Sequence, residues 1–421
     1  QSPFLKTHEL VHHTVDLSTH DELLCSAILE LFQEEEKKYA WPEMISTFEQ
    51  FEARIGASNN AEIISKIHLT VAKAYRFTGG QENRDRMINL LTEQIQLHQK
   101  TLPSWGEHRL YSLFFRLCEG LFEERDPKDL QVLFDLCKAQ KNLAYPPLIQ
   151  EIFVFYQELA HSTLNRNSPM LPQLLQIITR LQTIPDQSTF AYKMVFSTIY
   201  QTYANKYWHE NQLPRESSRE EHQKHQQQLL SSWLSEMDHA QKLKEDINDV
   251  QGLAMNYGIR ASTYLFTIRD GNKALELFQK DWDIVEANNM TADKPGVLNK
   301  LAMSHMLLAQ SSSNPQEHLD KAVDLAMESL HLAEKFEREG DFGFTIGTIL
   351  KLIVQTQNSD LIDFCGTRTG WLISEEYWSS KFLPFLKAGT YKTLTEINEL
   401  QLSSTQTWFP LALKYTAPKE T

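Results

Sequence analysis

Cysteine is scarce in this chain. The 421 residues include four cysteines, Cys25, Cys118, Cys137 and Cys365, and none of them belongs to a Cys-x-x-Cys pair. Each lies in an apolar segment with helical spacing, so buried free thiols are expected rather than a thiolate metal or redox centre. A large chain with so few cysteines is typical of a reducing compartment, and we therefore expect the protein to be cytoplasmic.

Positive charge and long apolar runs are also limited. The 41 Lys and Arg residues are outnumbered by 55 Asp and Glu residues, which gives a net charge of −14. Nucleic acids and anionic bilayers require a basic surface, so neither is an expected partner, whereas a basic protein or peptide is compatible with this charge. No run reaches the ~18–20 apolar residues of a membrane span, and no membrane insertion is expected. The chain does not begin with Met, which suggests a processed product or a part of something longer.

Strand-type alternation of apolar and polar residues is scarce, and the apolar residues instead recur at helical spacing. Glycine and proline breaks divide this pattern into paired segments, because proline is disfavoured inside a helix. The expected hairpins occupy approximately 21–56, 61–98, 107–140, 147–183, 188–244, 248–289, 295–336 and 341–378. We predict an all-α, right-handed superhelical solenoid of about eight hairpins over 21–380. A polar extension over 1–20 precedes it, and a capping segment or linker over 381–421 follows.

The clearest hairpin spans Asp249–Asn289. Its helical pattern is broken at Asp270-Gly271, and small residues at Gly258 and Ala274 allow two antiparallel helices to approach closely. A weaker copy follows over 296–335, with small or apolar residues on its second helix at Ala322, Ala326, Ser329, Leu330 and Ala333. Repetition of one helix pair along a chain indicates a solenoid.

The small residue, the glycine break and the Ala-x-x-x-Phe run at Gly258, Asp270-Gly271, Ala274 and Phe278 resemble the tetratricopeptide repeat (TPR) family. The copy over 296–335 looks like the second-helix signature of the same family. The other units match a hairpin period but lack the family's Trp near the start and Pro at the end, so the resemblance is to a divergent, TPR-like superhelix. Long, irregular arrays of this kind are also similar to the sensory or partner-binding segments of bacterial signalling proteins, including maltose-type transcription activators and repeat-containing cyclic-dinucleotide enzymes.

Motifs for catalysis or cofactor binding are missing from the sequence. His-Glu-x-x-His, a Walker phosphate loop and Gly-x-Ser-x-Gly do not occur, and Asp341-Phe342-Gly343 lacks the strand and lysine of a kinase site. We interpret this stretch as the start of a helix on which Gly343 and Gly347 permit close packing. His8 and His12 have helical spacing, but no carboxylate or cysteine completes a metal site. No enzyme activity, cofactor or metal is predicted.

A binding groove is the remaining candidate site. A TPR-like frame with Ala72, Ser262 and Ala302 at the helix crossings turns nearby first-helix positions towards the concave surface. An aromatic row over 192–207 adds tyrosines whose hydroxyl groups can face water. The predicted groove residues are Lys73, Arg76, Tyr200, Tyr203, Asn256, Thr263 and Asn299.

These patterns favour a non-catalytic protein- or peptide-binding repeat module that acts in regulation or assembly. The alternative is the ligand-sensing input region of a larger bacterial signalling protein, a transcription activator or a cyclic-dinucleotide enzyme, with an output domain outside this chain. A helical enzyme is the third hypothesis, and the missing acid/base and metal sets argue against it.

Overall fold

A computed structural model of the chain describes residues 21–417, with gaps at 59, 124–125, 142, 166–169, 212–218, 337, 401 and 403–407; between 369 and 389 it describes residues 372, 375 and 378 alone. The predicted extension over 1–20 therefore lies outside the described residues. The chain divides into two compact units. Unit 1 comprises Gln1–Thr78 and Glu82–Asn256, and unit 2 comprises Gly79–Gln81 and Tyr257–Thr421.

Unit 1 is built from consecutive helices. They are α1 (Asp21–Lys37), α2 (Trp41–Ala57), α3 (Ala61–Thr78), α4 (Gln81–His98), α5 (Glu107–Glu123), α6 (Pro127–Gln140), α7 (Pro147–Leu164), α8 (Leu171–Leu181), α9 (Phe190–Glu210) and α10 (Arg219–Asp246). A short 3₁₀ turn, Leu102–Ser104, precedes α5, and α11 (Val250–Thr263) starts in this unit. Chain neighbours pack together, as in the pairs α1 with α2, α6 with α7 and α9 with α10.

Unit 2 continues from α11 through a π-helical turn, Tyr264–Ile268. Its further helices are α12 (Gly271–Ala287), α13 (Lys294–Ala309), α14 (Pro315–Lys335), α15 (Glu339–Thr356), α16 (Asp360–Arg368), α17 (Thr390–Glu399) and α18 (Trp408–Thr416). Helices α13 and α14 form the closest hairpin, α15 packs on both of them, and α17 packs on α15.

The all-α solenoid prediction is confirmed. No residue in the described ranges lies in a strand, and within each unit the helices pack mainly on their neighbours in the chain. None of the described helices combines the length and apolarity needed to cross a membrane. All four cysteines are buried free thiols, as their apolar surroundings in the sequence predicted.

The predicted break at Asp270-Gly271 is confirmed, and local chemistry explains it. The π-helical turn ends at Arg269, whose φ of 67° is left-handed. Asp270 then caps α12, because its side chain accepts a hydrogen bond from the Lys273 amide at 3.0 Å. An N-cap of this kind satisfies an amide that has no partner within the helix. The chain therefore reverses where the sequence places Asp and Gly together.

Two glycines follow α3, and both have left-handed backbones. The φ angles of Gly79 and Gly80 are 76° and 87°. A Cβ added to Gly79 would lie 2.5 Å from Ala292 Cβ, whereas one added to Gly80 would lie 3.7 Å from the Phe336 carbonyl oxygen. Glycine is therefore required at 79 by both conformation and space, and at 80 mainly by conformation.

Small residues allow α13, α14 and α15 to approach closely. Ser329 on α14 donates to the Pro295 carbonyl oxygen at 2.8 Å, and its hydroxyl lies 2.9 Å from that of Thr345 on α15. The predicted second-helix residues Ala322, Ala326, Ser329, Leu330 and Ala333 are all buried. This hydrogen-bonded centre fixes α13 and α15 relative to α14, and the candidate site lies between α13 and α15.

Candidate functional site

Helices α13, α15 and α17 of unit 2 border a cavity of about 610 Å³, to which the π-helical turn adds Phe266. This volume falls within the ~300–1,000 Å³ of typical small-ligand sites. Among the described lining residues, four side chains are apolar, Phe266, Met303, Phe344 and Leu350, and the others are glycines or polar and charged residues.

The cavity exists partly because glycine occupies position 347 on α15. A Cβ added to Gly347 would meet no atom within 4 Å, so this face of the helix borders open space. The interpretation that Gly347 permits close packing is therefore wrong. Helix α15 packs instead through other positions, such as the buried Phe342, Ile346 and Ile349. Gly343 also lines the cavity.

Asn299 on α13 is the most informative polar residue in the wall. Its side chain lines the cavity and is only 6% exposed, and its carbonyl oxygen Oδ1 has no hydrogen-bond partner. A buried polar group without a partner costs about 1–3 kcal/mol. No hydrogen bond at Oδ1 holds the amide in one orientation, and the terminal torsion of Asn is soft. A ligand in the cavity can therefore supply the missing donor once the amide turns.

Acidic groups beside Lys300 are desolvated. Asp341 accepts a hydrogen bond from Arg338 Nε at 3.3 Å, and burial raises its pKa against the opposing charges of Arg338 and Lys300. Burial also raises the pKa of Asp281 to about 7, again against Lys300. A Cβ at Gly296 would lie 3.1 Å from Asp341 Oδ1, so glycine makes room for this carboxyl group. Burial therefore disfavours the ionised form of both acids, while the nearby cations favour it.

The outer wall carries further charges and exposed rings. Lys351 and Lys392 are exposed, and neither forms an ion pair with another residue in the described part of the chain. Glu396 is an exposed acid on α17 that also lines the cavity. Phe266 and Phe344, which also line the cavity, are each 42% exposed.

The predicted groove residues of unit 1 do not form one open surface. Lys73 forms an ion pair with Glu36 and lies 5.5 Å from the centre of the Trp41 ring. Arg76 is half-buried near the end of the same helix. Tyr200 and Tyr203 are adjacent, with ring centres 6.3 Å apart, but the Tyr200 hydroxyl donates to Glu236 on α10.

Asn256 and Thr263 are enclosed by their own helices and neighbours. Asn256 has no exposed surface, and its amide donates to Gln201 Oε1 at 3.1 Å and to the Met237 carbonyl oxygen at 3.2 Å. Thr263 is 5% exposed and donates to the Ile259 carbonyl oxygen. The Oδ1 atom of Asn256 has no hydrogen-bond partner, but burial keeps the side chain away from any binding partner, and the Thr263 hydroxyl is paired within its own helix. These two residues are therefore not part of an open groove. Asn299 is the predicted residue that lines the large cavity.

A second, smaller cavity in unit 1 includes Lys73 in its wall and has a volume of about 110 Å³. Lys244 and Asp249 also border it, with 3.5 Å between Nζ and Oδ2, and both side chains are buried. A water molecule takes up about 30 Å³ in the liquid, so this space suits a few waters rather than a ligand. The cavity of unit 2 is therefore the stronger candidate site.

Most of the wall was not identified from the sequence. Gly343 and Gly347 lie four positions apart in the sequence, but such a glycine pair predicts close packing as readily as an opening. The α17 residues Lys392 and Glu396 lie more than ninety positions after Asn299 in the chain, and no local pattern joins them. Among the described residues, no cluster of three or more His, Cys, Asp or Glu side chains is arranged to hold a metal ion. His8 and His12 lie outside the described residues.

No protein-family model matches the chain, and no curated protein is significantly similar to it. Thirteen solved chains match significantly in structure. One of them, a "circular tandem repeat protein with novel repeat topology and enhanced subunit contact surfaces", covers 98% of this chain and 93% of its own, with 11% sequence identity and a TM-score of 0.30. A score this low carries no argument about fold or function.

Proposed function

We propose that unit 2 is a non-catalytic binding module that holds a segment of a partner protein in the cavity between α13, α15 and α17. The observation that carries this proposal is Asn299, which lines the cavity while its Oδ1 atom is buried without a hydrogen-bond partner. A ligand N–H or O–H group recovers the free energy that this unpaired oxygen costs. The exposed Phe266 and Phe344 rings offer apolar contact beside it.

The side chains around the cavity support binding rather than catalysis. None of the described lining residues is His, Cys or Ser, the side chains that most often act as catalytic base or nucleophile. Asp341 is held by Arg338. In this role the chain would act in regulation or assembly, by recruiting the partner whose segment occupies the cavity.

A small-molecule sensor is the second candidate function, and the volume of the cavity favours it. A space of about 610 Å³ can enclose a whole metabolite as well as the end of a peptide. In that case the chain would be the input region of a larger signalling protein. The two candidates share the same site, so one experiment can first establish whether the site binds anything.

Ligand-observed NMR with a library of neutral, acidic and basic fragments tests the proposed function. The test variant is Gly347→Leu, because an added Cβ at this position meets no atom within 4 Å and the larger side chain would occupy the cavity. The control is Gly56→Leu on α2, where an added Cβ also meets nothing within 4 Å. We expect fragments that bind the wild type and the control but not Gly347→Leu. Fragments that bind all three proteins equally, or no binding to the wild type, would refute the proposed site.

A further inference from the structure

The cavity of unit 2 carries positive charge in an otherwise acidic protein. The whole chain has a net charge of −14, yet among the described residues three lysines and two acids line the cavity. One of the acids, Asp341, is paired with Arg338 and has a raised pKa because it is buried. The exposed Lys351 and Lys392 have no ion-pair partner in the described part of the chain. The local charge therefore favours an anionic ligand, although the charge of the whole chain favours a basic partner.

The same wall also selects for an apolar group. Phe266 and Phe344 each expose 42% of their surface, and Met303 and Leu350 line the cavity with them. Burying an apolar side chain against these residues is favourable in proportion to the area removed from water. Free inorganic anions lack such a side chain, so the lysines alone do not describe the ligand.

Asn299 adds the third requirement, which is a hydrogen-bond donor. Its Oδ1 atom is buried and unpaired, so the group that satisfies it must carry an N–H or O–H. An amide N–H next to an apolar side chain and a carboxylate occurs at the C-terminus of any peptide that ends in an apolar residue other than proline. The same three groups occur in an N-acylated amino acid.

We propose that the cavity of unit 2 recognises an apolar residue with a free carboxylate and an adjacent amide N–H. The carboxylate binds Lys351 and Lys392, the apolar side chain packs on Phe266 and Phe344, and the N–H group donates to Asn299. This inference rests on the binding function proposed above and names its ligand chemistry. The source of the ligand is either the C-terminus of a partner peptide or an N-acylated amino acid.

Isothermal titration calorimetry on the full chain tests the carboxylate requirement with two pairs of probes. The first pair is N-acetyl-leucine and its amide, and the second is an acetylated hexapeptide ending in Leu with a free or an amidated C-terminus. We expect each acid to bind at least about tenfold more tightly than its amide, because the amide loses the charge-assisted hydrogen bonds. A hexapeptide acid that binds more tightly than N-acetyl-leucine identifies a peptide terminus as the source, and equal affinity identifies an N-acylated amino acid.

The lysines are tested with the double variant Lys351→Met/Lys392→Met and the control Lys335→Met, an exposed lysine on α14 that does not line the cavity. The double variant should bind the acids about as weakly as the amides, whereas the control should retain the preference for the acid. Methionine keeps most of the apolar stem, so loss of packing is small. Higher salt should weaken acid binding to the wild type and leave amide binding unchanged.

The results separate failure of this inference from failure of the proposed function. One outcome is that acids and amides bind the wild type with equal affinity and that neither binds Gly347→Leu. That outcome would overturn the carboxylate inference, while the cavity would remain a binding site. The same holds if none of the four probes binds while fragments still bind the cavity in the NMR experiment. If no fragment responds to Gly347→Leu either, both are overturned.

Discussion

Asp281 should make the stability of the protein depend on pH. This residue of α12 is 4% exposed, and a Cβ at Gly258 would lie 2.8 Å from its Oδ2 atom, so α11 packs directly on the carboxyl group. Burial raises the pKa of Asp281 from 3.8 to about 7; Lys300 opposes this change and Asp293 adds to it. The folded state therefore binds this proton more tightly than the unfolded state does.

The magnitude follows from that difference. A raised pKa means that the contribution of Asp281 to stability is complete below its ordinary pKa and is lost as the pH rises through about 7. At about 1.4 kcal/mol for each pH unit, the loss between pH 4 and pH 8 is at most about 4 kcal/mol. Asp281→Asn replaces the acid by a neutral group of the same shape. The variant should therefore gain stability over the wild type as the pH rises, by about 1–4 kcal/mol.

Urea unfolding followed by circular dichroism between about pH 5 and pH 8 measures this gain. The control is Asp283→Asn, which changes an exposed acid on the same helix. We expect the difference between variant and wild type to grow with pH for Asp281→Asn and to stay flat for Asp283→Asn. Identical pH profiles for Asp281→Asn and the wild type would show that the buried carboxyl group is not destabilised by ionisation.

Three further predictions concern a buried alanine, the glycines after α3 and the unpaired amide oxygen of the cavity. Ala274→Trp should lower the melting temperature more than Lys273→Trp does, because Ala274 is fully buried and overpacking costs about 1–3 kcal/mol. Equal melting temperatures would contradict the placement of Ala274 where two helices of one hairpin approach closely. Gly79→Ala should destabilise more than Gly80→Ala in urea unfolding, since an added Cβ at 79 also clashes; equal losses would leave conformation as the sole cause. Asn299→Leu should raise the unfolding free energy by about 1 kcal/mol, because it removes an unpaired buried oxygen. The same variant should no longer bind fragments. A destabilised variant would indicate that the oxygen is satisfied.

The helices and their ends could be predicted from the sequence because the responsible residues are local. The apolar period of each segment gives a helix, and Asp270-Gly271 marks a turn through capping and backbone freedom. The row Ala322, Ala326, Ser329 and Ala333 is buried for the same reason, since residues three or four apart share a helix face.

The candidate site was harder to predict because it depends on which helix covers which face. Asn256 and Asn299 had the same predicted role, and Oδ1 lacks a partner in both. Asn256, however, has no exposed surface and its amide donates to Gln201, which lies 55 positions earlier, whereas Asn299 lines the cavity. Gly347 leaves open space because α15 packs through its other faces. Helix α17, which lies far from α13 in the chain, completes the wall of the cavity. Contacts of this range cannot be read from local spacing.

A crystal structure of the protein with its tightest-binding fragment tests the central claim most directly. The account predicts that the compound lies between α13, α15 and α17, with an N–H or O–H group within about 3.2 Å of Asn299 Oδ1. A compound bound outside this cavity, or an Asn299 Oδ1 atom that already accepts a hydrogen bond from the protein, would contradict it.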